Sequence, residues 1–159
     1  MEVKERRMEN NLITIGTGVL ASGLWSFMKF ILTAFFVDDT YQKVLTEQNA
    51  VILAITFWSV ALINLGVHSY IGFSARAEGK RKRKGAYLVL TGIVAFVKSI
   101  AVVSEIVLLF RTDHGMIALL ISLVIDTTAT VFLVELMINS TAIRRIKKLR
   151  QKEAEQRES

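Results

Sequence analysis

The sequence predicts an all-α, polytopic membrane protein: a four-transmembrane-helix up-down bundle with cytoplasmic N and C termini. Three observations predict it. The 159 residues are 52% hydrophobic, with a mean hydropathy of +0.45 that soluble domains of this size rarely reach. The apolar residues gather into four long segments, Leu12–Val37, Ala50–Ala75, Ala86–Phe110 and Met116–Ile143. The basic residues lie almost entirely at one set of segment ends.

Each segment exceeds the roughly 20 helical residues needed to cross the hydrocarbon core. The first carries one charge, Lys29, and the second carries none. The third carries Lys98 and Glu105, and the fourth Asp126 and Glu135. All four runs are continuous, whereas the strands of a membrane β-barrel alternate apolar and polar residues. No proline interrupts a helix, so each closes its backbone hydrogen bonds internally. The connections Asp38–Asn49, Arg76–Gly85 and Arg111–Gly115 are too short for an independent fold, leaving residues 1–159 as a single membrane domain. A cleaved leader ending near Ala21-Ser22-Gly23 is disfavoured, because hydrophobicity runs on through Leu24–Val37.

Orientation follows from the cations. Lys4, Arg6 and Arg7 precede the first segment. Arg76 and the run Lys80-Arg81-Lys82-Arg83-Lys84 follow the second. Arg144, Arg145, Lys147, Lys148, Arg150, Lys152 and Arg157 follow the fourth. Those 16 stand against two, Lys43 and Arg111, in the other connections. The positive-inside rule then places both termini and the middle connection in the cytoplasm. The net charge of +6 is topological, and no nucleic acid partner is needed to explain it. Lys80, Arg81, Lys82, Arg83 and Lys84 are expected to contact anionic lipid headgroups, each contributing about 1 kcal/mol near the surface. The tail Ala142–Ser159, basic from residue 144 on, reads as a charged helical extension, with Ile143, Ile146 and Leu149 on a thin apolar edge, lying on the membrane or binding a cytosolic partner.

Ionisable groups inside a span cost about 2.5–3.5 kcal/mol each on insertion scales, so each needs a partner or a wet cavity. Helical rise sorts them into two layers. The outer layer is an intramembrane polar network of Lys29, Lys98, Glu105 and Asp126. Its expected pairs are Lys98 with Asp126 and Lys29 with Glu105, the exchanged pairing being nearly as good. The inner layer joins His68 to Glu135, with Asn64 nearby. By helical period, Gly18, Ser22, Trp25, Ser26, Lys29 and Thr33 share a stripe on the first helix, as do Ala61, Asn64, His68 and Gly72 on the second. Thr91, Ala95, Lys98 and Glu105 do so on the third. The Gly18, Ser22 and Ser26 spacing suits close helix packing.

The fourth helix differs. Asp126 and Glu135 are nine residues apart, about 180° around the helix. Ser122 and Thr130 lie with Asp126, while Thr128 and Asn139 lie with Glu135. A helix with two opposed polar stripes must be central or must meet a second subunit.

No catalytic constellation is present. His68 and His114 lie toward opposite ends, no His-x-x-x-His or Gly-x-Ser-x-Gly motif occurs, and no cysteine exists for disulfides, thiolate metal sites or nucleophilic attack. No catalytic, metal or cofactor residue is therefore assigned. Asn139-Ser140-Thr141 matches a glycosylation sequon, but stands at the cytoplasmic end of a span. The size and four-span layout resemble the small multidrug transporters, but the acidic residue of their first helix is replaced by Lys29 as the sole charge. The large disulfide-bonded loop of tetraspanins and claudins is missing.

Two functions remain in view. The first is a small membrane protein acting through assembly, as an accessory or structural subunit of a larger membrane partner or as a homo-oligomer. The second is an oligomeric transporter or channel, its path lined by the intramembrane charges. Compact connections without cysteine suit a bacterial inner (plasma) membrane.

Overall fold

The computed structural model describes residues 2–32, 50–80, 86–111 and 116–158, and every regular element among them is helical. The helices are α1 (Glu2–Leu32), α2 (Ala50–Gly79), α3 (Tyr87–Leu109) and α4 (Met116–Glu158). All four are long and apolar enough to cross a membrane. Large apolar side chains stand outward, among them Val51 at 72%, Val89 at 73% and Phe110 at 84% exposure. Water tolerates such a surface poorly, whereas lipid chains solvate it.

Two boundaries differ from the sequence expectation. The stretch from Arg76 continues α2 to Gly79, with Lys80 N donating to the Arg76 carbonyl at 3.0 Å, so the turn begins later. α1 begins at Glu2, ten residues before the apolar segment. α4 runs unbroken through 43 residues, with the tail as its expected helical extension. At 1.5 Å per residue α4 is about 63 Å long, twice the hydrocarbon thickness of about 30 Å. Residues 33–37 of the first apolar segment, Thr33 of its stripe, and Arg81, Lys82, Arg83 and Lys84 lie outside the described residues.

The helices are arranged in the order α2, α1, α4, α3, with few contacts closing the ring between α2 and α3. α1 and α4 therefore form the central pair. The core runs from Leu12, Ile15 and Val19 through Ile71 and Ala75 to Leu133, Leu136 and Ile143, with Tyr87 and Ala95 from α3. Along α1 the buried positions Glu5, Glu9, Leu12, Gly16, Val19, Gly23 and Ser26 alternate steps of four and three, the seam spacing of packed helices.

Glycine sets how closely α1 and α2 approach. A Cβ on Gly16 would stand 2.9 Å from the Gly72 carbonyl oxygen, and one on Gly72 would stand 2.7 Å from that of Gly16. The two backbones meet there without side chains between them, as small residues permit in membrane helices. Gly18, from the run expected to pack closely, faces the Phe132 ring of α4, so Gly16 and Gly72 make the tighter approach.

Candidate intramembrane charge cluster

Three helices, α1, α3 and α4, bring their polar stripes together at one level. Lys29 on α1 donates to Asp126 Oδ2 at 2.5 Å and to Glu105 Oε1 at 3.1 Å. Lys98 on α3 donates to Asp126 Oδ1 at 2.5 Å and to Ser26 Oγ at 3.4 Å. Ser122 on α4 donates to Glu105 Oε1. Asp126, buried at 4% exposure, thus holds one lysine on each carboxylate oxygen. The set contains two ammonium groups and two carboxylates, and it is formally neutral. Both expected pairs form. The addition is that Lys29 bridges the two carboxylates, joining α1, α3 and α4 through one network.

The stripes are placed largely as their periods require. Ser22, Ser26, Ala61, His68, Thr91 and Ala95 are buried, while Trp25 is 59% exposed and leaves the α1 stripe. Trp25 sits three residues from Ser22, at the edge of that stripe, where its bulk turns outward.

The inner pair does not form. His68 is fully buried against Gly23, where a Cβ would clash with the His68 side chain. Its Nδ1 bonds to the Asn64 carbonyl at 2.9 Å. A carbonyl only accepts, so Nδ1 carries a proton. That Nε2, like Glu105 Oε2, finds no partner among the described residues. Glu135 is exposed on the far side of α4, where Thr128 is also exposed. The shared depth of His68 and Glu135 suggested their pairing, but the rotation of α4 separates them. The helix resolves its two stripes by turning Asp126 inward and Glu135 outward.

A second set of ion pairs lies at the end where α1 begins and α4 finishes. Arg144 holds Glu78 with two bonds of 2.9 Å, while Ser140 donates to Glu78 at 3.3 Å. Tyr87 donates to Ser140 at 3.0 Å, and the Arg144 guanidinium lies 5.9 Å from the Tyr87 ring centroid. Further along, Lys147 pairs with Glu9 at 3.1 Å and Arg150 with Glu5 at 3.0 Å. The start of the tail is therefore fastened against α1 and α2 as a continuation of α4. Counting only cations at the segment ends missed this set. Its signal was the seam spacing carrying Glu5 and Glu9 into line with Leu12.

Among the described residues no group of three His, Cys, Asp or Glu side chains is disposed to hold a metal ion. Lys80 is exposed beside the α2 terminus, and its four basic successors are outside the described residues. Comparison with known protein families, curated proteins and solved structures gives no match for this chain.

Proposed function

We propose that the chain is an integral membrane protein that acts through assembly, as an accessory or structural subunit or as a self-associating protein. In this reading both termini and the 76–85 connection face the cytoplasm of a bacterial inner membrane, supported by the 16 to two distribution of cations.

The observation that carries the reading is the outward face of α4. Glu135 is exposed there, two turns inside the end of the apolar segment, in line with Thr128 and flanked by exposed Val131 and Ile138. Hydrocarbon cannot solvate a carboxylate, and a partner helix offering a donor at that level removes the penalty. Beside this face, α1 and α4 leave a groove of about 330 Å³ lined by Gly18, Ala21, Ser22, Trp25 and Phe132, among others. Small residues along a groove admit a second helix at close range.

The inward face of α4 supports the same division of labour. Its charges neutralise one another within one chain, as a network fixing helix partners and register does. In a transporter or channel, Asp126 serves flux, so Asp126→Asn abolishes flux and leaves assembly intact. In a structural network the same variant loses assembly or expression. Native mass spectrometry of gently extracted protein tests assembly itself. The expected result is a defined homo-oligomer or a stoichiometric complex with a larger membrane protein. A monomer under conditions that preserve other membrane complexes overturns the reading.

A further inference from the structure

We propose that the cavity beside the charge cluster is a binding site for a small apolar monocarboxylate. This inference is independent of the assembly reading, because the site is built within one chain.

The cavity measures about 230 Å³ and receives residues from all four helices. A water occupies about 30 Å³ of liquid, so the space holds several waters or one compact organic molecule. It is smaller than the roughly 300–1,000 Å³ of drug-sized pockets, which restricts the ligand to a short body.

The wall chemistry selects the charge. An ammonium has three N–H donors. Lys29 uses two, on Asp126 and Glu105, and Lys98 uses two, on Asp126 and Ser26. Each lysine thus retains one N–H, and both line the cavity. Asn64 also lines it, and its side-chain amide can donate. Among the described residues Asp126 is the one carboxylate on the wall. Glu105, 3.1 Å from Lys29, makes the cluster formally neutral, so the selection rests on hydrogen bonding: each Asp126 oxygen already accepts from a lysine, while the lysines and Asn64 keep donors for the oxygens of an anion. Three donors are what a carboxylate accepts, and charge-assisted bonds are the strong ones. The opposite wall is apolar, from Phe27, Phe30 and Val60, and takes the body of the ligand.

The test is equilibrium binding of radiolabelled benzoate to the full chain in lipid nanodiscs. Saturable binding is expected, with benzylamine failing to compete. Asn64→Leu removes a donor without touching the ion pairs, and Ala61→Leu fills the space. Each should weaken benzoate binding about tenfold or more while leaving the melting temperature unchanged. Should Ala61→Leu not fold, Val60→Trp narrows the cavity from its half-exposed edge and is expected to do the same. The proposal is overturned by an absence of saturable benzoate binding at millimolar concentration, which means a water-filled cavity. It is equally overturned if benzylamine competes as well as benzoate, or if Asn64→Leu and the cavity-filling variant both bind as wild type.

Discussion

The cluster around Asp126 and the ion pairs at the terminal end of the bundle use the same chemistry in different solvents. Each joins lysine or arginine to buried carboxylates across three helices. Around Asp126 the surroundings are apolar side chains and, beyond them, lipid. At the terminal end Lys147 and Arg150 are about a third and half exposed, so water and headgroups replace a lost partner. The difference teaches that a count of ion pairs says little about their weight. What decides it is which solvent receives the charge when its partner is removed.

The largest effect is expected at Asp126. Its replacement by Asn removes the charge that Lys29 and Lys98 share and leaves one acceptor oxygen for two ammonium groups, stranding a net positive charge. The expected cost is about 3–5 kcal/mol, read as lost expression or a lowered thermal midpoint in detergent. Adding Lys98→Met to Asp126→Asn restores formal neutrality and should recover part of that loss. A double variant no better than Asp126→Asn alone would show that the pair is not what holds the helices. Gly16→Leu comes next, because its side chain must enter the space of the Gly72 carbonyl and Ala75. Overpacking of this kind costs about 1–3 kcal/mol, and Gly66→Leu, which meets nothing within 4 Å, is the neutral control.

At the terminal end the effects shrink in order of exposure. Glu78→Gln weakens a carboxylate with two bonds from Arg144 and one from Ser140, at a cost of about 2 kcal/mol in thermal unfolding. Glu5→Gln faces the half-exposed Arg150 and should cost about 1 kcal/mol or less. Raising salt toward 1 M should shrink that second cost and barely move the first. Equal costs at Glu5 and Asp126 would erase the contrast between the two regions.

Much of the fold was legible because lipid imposes simple rules. Length and hydropathy located four helices, and helical period placed Lys29, Lys98, Glu105 and Asp126 on stripes that meet. Depth put the four groups in one layer but left two pairings nearly equal, and the structure combines Lys98–Asp126 and Lys29–Glu105 with Lys29–Asp126 from the other. Depth failed at His68 and Glu135, since it carries no information about rotation around the axis. The nine-residue separation of Asp126 and Glu135 held that information, because two residues half a turn apart cannot both face inward. The terminal ion pairs were hidden for another reason. A rule that counts cations treats Glu5, Glu9 and Glu78 as silent, although Glu5 and Glu9 continue the seam of α1. The Gly16–Gly72 approach depends on which helices are neighbours, and no single helix records its partner.

The central claim is that α4 turns one polar face into its own bundle and the other toward an assembly partner. Spin labels on single cysteines report it directly, since the chain has no cysteine of its own. Val131→Cys flanks Glu135 on α4, and Val97→Cys stands on the lipid-facing side of α3, both being more than half exposed. In native membranes the account predicts low oxygen accessibility and restricted motion at position 131, with high accessibility at position 97. Equal, high accessibility at both positions would mean that lipid covers the Glu135 face, and would contradict it.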